Sequence, residues 1–285
     1  MTTVALVSAG FMGAGLGRAL LDGGARVVTT LDGRSARTAR LADEAGLDVL
    51  PTLVDVMAAA DIVLSVTPPG AAVDTAGAIA TAAQQAGRAG ALIVADLNAV
   101  SPATMGRIGT ALGGLDVVDG SISGPPPTVK PGARLYLSGT HASAVAELPW
   151  NGLIEPIVLG PDVGAASALK MCTGSVYKGL TALVTQAMRT AGAHGVLDAV
   201  LADLERNGLA DSDGVARAAT KAHRYVGEMN EVAVTQQAAG LTPELFTAIA
   251  DVYAGVARTA LAQDDPENDR ALSPAEIVER LRPLS

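Results

Sequence analysis

The sequence predicts an α/β fold in which a doubly wound, mainly parallel sheet is followed by an all-α C-terminal domain. Over roughly the first 120 residues, short continuous apolar runs alternate with helical segments, and this pattern is typical of right-handed crossovers in a parallel sheet. From Val163 onward the strand-like runs stop, and long Ala- and Leu-rich helical stretches replace them.

The apolar runs of the N-terminal part are continuous rather than alternating, as expected of strands buried on both faces. The predicted strands are Val4–Val7, Arg26–Leu31, Asp61–Val66, Ala91–Ala95 and Leu115–Asp119. Helices are predicted after the first strand as far as Leu21, over Ser35–Ala45, and from Ser101, a helix cap that is followed by Pro102. The predicted C-terminal helices are Val163–Ala193, Leu197–Arg206, Gly214–Ala239, Thr242–Ala262 and Ser273–Leu281. We place the domain boundary near Leu159-Gly160-Pro161, which gives domains of residues 1–160 and 161–285.

The composition excludes several classes of partner. The 285 residues include 20 Lys plus Arg and 29 Asp plus Glu, a net charge of -9. Nucleic-acid binders carry a basic face and anionic membranes recruit basic patches, so we expect neither partner. Only four basic residues are lysines: Lys130, Lys170, Lys178 and Lys221.

Cysteine use and the termini favour a cytoplasmic protein. Cys172 is the single cysteine, which excludes a disulfide within the chain. The N-terminus has no signal-peptide pattern, and no apolar run is long enough to span a membrane. The three histidines lack metal-ligand spacing, so no metal site is expected.

A glycine-rich turn follows the first predicted strand, in the order Ser8-Ala9-Gly10-Phe11-Met12-Gly13. A strand, such a turn and a helix N-terminus direct backbone N–H groups and the helix dipole at a phosphate. The dinucleotide fingerprint is Gly-x-Gly-x-x-Gly, and here Ser8 replaces its first Gly. Because Ser is small, we predict a dinucleotide-binding turn; the alternative is an ordinary βα turn that binds no dinucleotide.

The segment after the second predicted strand favours NADP over NAD. Arg34 has the planar guanidinium that binds a phosphate, Ser35 offers a hydroxyl, and Arg37 adds charge. Asp32 is the competing feature, since NAD-binding proteins offer a carboxylate to the ribose. The alternative is that both arginines are solvated residues on a helix face.

Lys170 lies in a largely apolar predicted helix. Burial lowers the pKa of lysines, as a general acid/base near neutral pH requires. Spacing alone leaves equally open that Lys170 extends to solvent.

Four segments, in the same order along the chain, carry a family resemblance. They are Gly10-Phe11-Met12-Gly13, Gly33-Arg34-Ser35, Asp119-Gly120-Ser121-Ile122-Ser123-Gly124 and the run from Gly164 to Lys170. In the same order, they are similar to four segments of the β-hydroxyacid dehydrogenase superfamily. These are its N-terminal turn, its Asn-Arg-Ser/Thr motif, its Asp-Ala-Pro-Val-Ser-Gly motif and the Gly-rich run before its catalytic Lys. That superfamily includes 3-hydroxyisobutyrate and 6-phosphogluconate dehydrogenases.

The resemblance implies a Rossmann domain, then a helical domain that binds substrate and forms a homodimer. It also implies an oxidoreductase that uses NADP (NADPH) and transfers a hydride between the nicotinamide and a small carbonyl or hydroxy compound. Lys170 would be the general acid/base, and Ser123 and Gly124 would contact the substrate. The cofactor contacts that it implies are Ser8, Ala9, Gly10, Phe11, Met12, Gly13, Gly33, Arg34, Ser35, Thr67, Pro68, Pro69, Asn98 and Ala99.

The chain departs from the family just after Lys170. Four residues on, the family has Asn where this chain has Gly174, and Thr173 replaces the His of 6-phosphogluconate dehydrogenases. We therefore expect a substrate other than 6-phosphogluconate or 3-hydroxyisobutyrate. Thr173, Tyr177 or Lys178 would take over the role of the missing Asn in the catalytic site, and Tyr177 would contact the substrate.

Two alternatives remain open at this stage. Gly124-Pro125-Pro126-Pro127 and Leu135-Tyr136-Leu137-Ser138-Gly139 resemble imine reductases, which generally lack the Lys. Lys170 together with Tyr177-Lys178-Gly179 instead resembles a group with a 6-phosphogluconate-dehydrogenase-like C-terminal domain and largely undefined substrates, and we place the chain there. The second alternative, supported by Gly174, is a non-catalytic NADP-binding sensor.

Overall fold

Eight strands form one sheet in the N-terminal part of the computed structural model, which describes residues 1–264 and 271–282. The strands are β1 (Thr3–Val7), β2 (Arg26–Thr29), β3 (Asp48–Val49), β4 (Ile62–Ser65), β5 (Ile93–Asp96), β6 (Asp116–Ser123), β7 (Ala133–Ser138) and β8 (Ile154–Gly160). Their order is β3-β2-β1-β4-β5-β6-β7-β8, and every neighbouring pair is parallel except β6 and β7.

Helices cover both faces of this sheet. They are α1 (Phe11–Asp22), α2 (Ala36–Glu44), α3 (Leu53–Ala59), α4 (Ala72–Gln85), α5 (Pro102–Ala111) and α6 (Ala142–Ala146). Val4 and Leu6 of β1 belong to one apolar core, whereas Ala5 and Val7 belong to another. Successive strand residues point to opposite faces, so the continuous apolar run of β1 is buried on both sides, and the predicted fold class is confirmed.

All five predicted strands are present, with bounds that differ by a few residues, but β3, β7 and β8 were not predicted. Their sequences lack the continuous apolar run that identified the others. The two residues of β3 are exposed, β7 has an exposed and a half-buried residue among its buried ones, and β8 is largely unburied and includes Pro156. Strands β3 and β8 are the two edges of the sheet, and edge strands tolerate proline and need no continuous apolar sequence.

The C-terminal part is helical. Its helices are α7 (Ala165–Ala193), α8 (Leu197–Glu205), α9 (Ser212–Ala219), α10 (Ala222–Ala238), α11 (Glu244–Val256), the 3₁₀ helix Ala260–Gln263 and α12 (Pro274–Arg280). The prediction of one helix over Gly214–Ala239 is wrong, because the chain breaks between α9 and α10. No Gly or Pro marks the break, and the flanking Ala219 and Ala222 are fully buried, so tertiary packing overrides helix propensity there.

The chain divides into two compact units, Met1–Met171 and the described residues from Cys172 onward. Helix α7 begins in the first unit and continues into the second. The predicted domain boundary near Gly160 stays a prediction. Within the part of the chain that is described, no helix is both long and apolar enough to cross a membrane.

Candidate functional site

The predicted cofactor segments follow four neighbouring parallel strands. Ser8–Gly13 follows β1, Gly33–Ser35 follows β2, Thr67–Pro69 follows β4 and Asn98–Ala99 follows β5. These strands lie side by side in the order β2-β1-β4-β5 with β6 next, so their carboxyl ends form one edge, which we call the carboxyl edge. In open α/β sheets, ligands bind outside the carboxyl ends where the strand order reverses, and here it reverses between β1 and β4.

The turn after β1 contains two glycines, and the fold itself requires only one of them. A Cβ on Gly13 would overlap the carbonyl oxygen of Ser8, whereas a Cβ on Gly10 would have no atom within 4 Å. Helix α1 begins at Phe11 with Gly10 as its N-cap residue and has no side-chain cap, so the N–H groups of its first turn receive no side-chain acceptor. The backbone at Gly10 is therefore open to close approach by a phosphate.

Ser8 takes the conformation for which glycine is the usual residue. Its φ of 78° lies in the left-handed region, where a non-glycine residue costs roughly 1–2 kcal/mol. Ser8 therefore occupies this turn, and its backbone conformation is strained.

A buried polar network joins the ends of β4 and β5. The Asn98 side-chain oxygen accepts a hydrogen bond from the Thr67 backbone N–H at 2.5 Å, and its Nδ2 donates to Asp96 at 2.7 Å and to Ser65 Oγ at 3.3 Å. Of the buried side-chain polar atoms in residues 1–264 and 271–282, only the Thr67 hydroxyl has no hydrogen-bond partner. Buried hydroxyls without a partner are costly, so the Thr67 hydroxyl has an unused hydrogen-bonding capacity just after β4.

Asp96 was missed by the sequence analysis. Burial raises the pKa of its carboxyl to about 7, while hydrogen bonds from Asn98 and Ser65 oppose the shift and the charge of Asp119 adds to it. A raised pKa means that protonated Asp96 favours the folded state. This contribution to the free energy of unfolding is complete below the ordinary pKa of 3.8 and is lost as the pH rises through the folded-state pKa of about 7. The only sequence signal for Asp96 was its charge, because it directly follows the apolar run Ile-Val-Ala.

The residues predicted to select NADP lie on an exposed turn. Gly33 has φ +68°, the Arg34 backbone N–H donates to the Leu31 carbonyl at 3.0 Å, and the Arg34 side chain is exposed. The Ser35 hydroxyl caps α2 by accepting from the Thr38 backbone N–H at 3.2 Å. Ser35 therefore has a structural role beside the predicted phosphate contact.

Lys170 lies against the carboxyl end of β6. It is half-buried, and its Nζ donates to the Ile122 carbonyl at 2.5 Å. Ser123 and Gly124 follow Ile122 directly, and at Gly124, with φ +134°, a Cβ would crowd Ala133. The fold thus places the predicted acid/base beside the predicted substrate contacts.

A buried carboxylate holds the start of the helix that carries Lys170. Asp119 on β6 is fully buried. Its Oδ2 accepts from the backbone N–H groups of Gly164 and Ser167, both at 2.9 Å, and from Ser138 Oγ at 3.1 Å. Its Oδ1 accepts from Ser167 Oγ at 2.6 Å. The three hydrogen bonds from Gly164 and Ser167 fix the start of α7 on the sheet, and the one from Ser138 joins β7 to β6; the sequence analysis did not identify this role.

The other predicted site residues lie further along α7, in the second unit. Thr173 is half-buried, Gly174 is buried and the Tyr177 side chain is 68% exposed. Lys178 does not face solvent: its side chain is 15% exposed and its Nζ lies 2.8 Å from a carboxylate oxygen of Glu228. The catalytic and substrate-binding roles of Thr173, Gly174 and Tyr177 stay predictions.

The carboxyl edge fits a dinucleotide. The first turn of α1 lacks a side-chain cap, Gly10 allows close approach, and the Thr67 hydroxyl is buried without a partner. Within residues 1–264 and 271–282, no group of three or more His, Cys, Asp or Glu side chains is arranged to hold a metal ion.

Two different family models match the chain, one in its N-terminal part and one in its C-terminal part. Residues 3–149 match the family model of the NAD binding domain of 6-phosphogluconate dehydrogenase. Residues 191–256 match a domain of unknown function, DUF1932. The first match covers half of the chain and contains the whole glycine-rich turn.

Individual relatives agree with these matches. An uncharacterized 28.5 kDa protein in the 7S RNA 5′ region of Methanothermus fervidus is 31% identical over 180 residues, which are 63% of this chain and 67% of that protein. The solved structure of conserved protein MTH1747, described as similar to 3-hydroxyacid dehydrogenases, has 28% identity and a TM-score of 0.66 over 90% of this chain and 96% of its own. A Mycobacterium tuberculosis 3-hydroxyisobutyrate dehydrogenase with L-serine has 19% identity and a TM-score of 0.70 over 99% of both chains, a likeness of fold.

Proposed function

The chain belongs to the family of the NAD binding domain of 6-phosphogluconate dehydrogenase, and on that premise we propose a specific chemistry for it. It is an NADP-dependent oxidoreductase acting on a small carbonyl or hydroxy compound, with Lys170 as general acid/base. The observation that carries the proposal is the position of Lys170 Nζ, 2.5 Å from the Ile122 carbonyl at the carboxyl edge.

Each group at the carboxyl edge has a task in this mechanism. The N–H groups of α1 and the Gly10 backbone would hold the pyrophosphate, and the Thr67 hydroxyl would donate a further hydrogen bond to the cofactor. When bound, the nicotinamide supplies or accepts the hydride. Lys170 gives a proton to the substrate carbonyl oxygen or takes it from the hydroxyl, while the Ile122 carbonyl orients the amine. Ser123 and Gly124 hold the substrate carboxylate or an equivalent group.

The proposal is tested by turnover with NADPH and NADH against a panel of small 3-hydroxy acids, 3-oxo acids, aldehydes and cyclic imines, followed by nicotinamide absorbance. Oxidation or reduction of a hydroxy or carbonyl compound is the expected result. Tight NADPH binding without turnover of any compound would instead support the cofactor-binding sensor. Reduction of cyclic imines that survives the loss of Lys170 would support an imine reductase.

Replacing Arg34 with Ala is expected to weaken NADPH binding about 10–100-fold, because a hydrogen-bonded charged group contributes about 1.5–3 kcal/mol. NADH lacks the 2′-phosphate, so its affinity is expected to stay the same. Calorimetric titration of both cofactors measures the difference, with Arg40→Ala as the control, since Arg40 lies on α2 and pairs with Glu44. Equal binding of NADH and NADPH by the unmodified protein would refute the preference.

Replacing Gly10 with Ala is expected to abolish cofactor binding at little cost in stability. The backbone φ of -68° suits Ala and its Cβ meets no protein atom within 4 Å, but that methyl group would keep a pyrophosphate away from the turn. Cofactor titration and thermal unfolding separate the two effects. Gly77→Ala on α4, where a Cβ also meets no atom within 4 Å, is the control for the substitution itself. NADPH affinity retained by Gly10→Ala would contradict the assigned phosphate site.

We also place the protein in the cytoplasm as a homodimer. Val176, Leu180 and Leu183 lie on one face of α7 with side chains 56%, 45% and 61% exposed, and an exposed apolar row of this kind favours an interface. Light scattering is expected to report a dimer that Leu183→Asp converts to a monomer. Val129→Asp, at an equally exposed apolar residue in the first unit, should leave it intact. A monomer in the unmodified protein rules the interface out.

A further inference from the structure

Three cations meet in one cavity of the helical unit. Between α7, α9 and α10 lies a cavity of about 240 Å³ lined by Lys178, Arg217 and Lys221 and by the rings of Tyr177 and Tyr225. The chain as a whole carries a net charge of -9 and only four lysines, and two of those four lysines line this cavity. Such a local excess of positive charge in an acidic protein needs a physical explanation.

The carboxylates nearby do not balance these charges. Glu228 is buried and pairs with Lys178 at 2.8 Å. Asp211 lies 3.7 Å from Arg217, and both of those side chains are more than half exposed, so that pair is weak. Lys221 has no carboxylate within 4.0 Å among residues 1–264 and 271–282.

Lys221 is held in surroundings that disfavour its charge. Its ammonium is half-buried, and burial together with the positive charges of Arg224 and Arg217 lowers its pKa. A half-buried cation next to two others is unfavourable unless an anion compensates it. A bound anion would supply the missing negative charge and would also recruit the Arg217 guanidinium, which suits carboxylate and phosphate groups.

The wall of the cavity is partly aromatic and is held by side-chain contacts. Lys178 Nζ lies 5.1 Å from the centre of the Tyr225 ring, and Tyr225 packs edge-on against Tyr253 with ring centres 5.2 Å apart. The Tyr253 hydroxyl donates to the Lys178 carbonyl at 2.7 Å. Pockets for drug-sized ligands occupy about 300–1,000 Å³, so this smaller cavity suits a small molecule with one anionic group and a short organic part against the tyrosines.

We propose that the cavity lined by Lys178, Arg217 and Lys221 binds a small organic anion through its carboxylate or phosphate group. All of its lining residues lie within the helical unit. Tyr177 and Lys178 were also predicted near the substrate, whereas Arg217 and Lys221 have no part in the proposed redox function. Because the cavity involves neither Lys170 nor the carboxyl edge, the Lys170→Met variant should bind the anion as well as the unmodified protein does. Failure of the redox proposal and failure of this one are therefore separable.

Two probes, inorganic phosphate and malonate, distinguish whether the bound anionic group is a phosphate or a carboxylate. Each is titrated by calorimetry. The unmodified protein is expected to bind at least one of them, and Lys221→Met is expected to weaken that binding about tenfold or more, as the loss of one charged hydrogen-bonding group does. Binding should also weaken as salt is added. Lys130→Met, which removes an exposed lysine of the first unit, is the matched control and should bind as before.

Thermal unfolding gives a second measurement. Without added anion, Lys221→Met should unfold at a higher temperature than the unmodified protein, since it removes an uncompensated half-buried charge. Added phosphate or malonate should raise the unfolding temperature of the unmodified protein and move that of Lys221→Met much less. Equal shifts in both proteins, or no binding of either probe, would overturn the proposal.

Discussion

Replacing Lys170 with Met lowers kcat by about 10²–10⁴-fold, which is the range that a positioned general acid or base contributes. Met keeps the length and much of the apolar stem of Lys, so the half-buried site stays filled, but it has no proton to give or accept. The Lys170 amine is held by the Ile122 carbonyl at 2.5 Å, so the lost group is a positioned one rather than a mobile surface amine.

The measurement is steady-state turnover with the substrate that the panel identifies, together with cofactor affinity and the pH profile of kcat/KM. Cofactor affinity should be unchanged, and the pH dependence of kcat/KM should differ from that of the unmodified protein. Lys130→Met is again the control, because it removes an exposed lysine that has no assigned part in the site. Full activity in Lys170→Met would remove Lys170 from the mechanism and favour the imine-reductase alternative.

Replacing Asp119 with Ala is expected to lower the free energy of unfolding by about 3–5 kcal/mol, the range found when one partner of a buried charged interaction is removed. The carboxylate accepts from Gly164 N, Ser167 N, Ser167 Oγ and Ser138 Oγ. Ala leaves these donors buried without an acceptor and opens a cavity at the start of α7. Denaturant unfolding followed by circular dichroism measures the loss.

Asp116→Ala is the matched control, because Asp116 lies on the same strand with its side chain 50% exposed. It should change stability by less than about 1 kcal/mol. A milder variant, Asp119→Asn, keeps the shape and one acceptor, and should fold with a reduced kcat and nearly normal cofactor affinity, because α7 carries Lys170. If Asp119→Ala were as stable as Asp116→Ala, the hydrogen bonds of Asp119 would not hold the helix.

The carboxyl edge was predictable because its signals are short-range. Each segment follows a strand that its own apolar residues identify, and parallel strands place all their carboxyl ends at one edge. The turn Ser8–Gly13 could be predicted from the spacing of its glycines alone. The prediction of Lys170 depended on family resemblance, since helical periodicity by itself left it either buried or extended to solvent.

The missed features are contacts between distant parts of the chain. Asp119 meets Gly164 and Ser167 across 45 and 48 residues, and Lys178 pairs with Glu228 on another helix. A single sequence carries no local pattern for such pairs, because each partner by itself looks like an ordinary polar residue. Strands β7 and β8 were missed for a related reason, as an antiparallel extension at a sheet edge needs no continuous apolar run.

The sequence by itself determined which apolar segments become the strands β1, β2, β4, β5 and β6, where the glycine-rich turn lies, and therefore which residues gather at the carboxyl edge. Backbone propensity and hydrophobic periodicity act over a few residues and can be seen in one chain. Only the tertiary structure decided that Asp119 holds the start of α7, that Lys178 is paired and that Lys221 is left half-buried without a carboxylate. Burial and charge pairing depend on which distant segments pack together, and that outcome belongs to the whole fold.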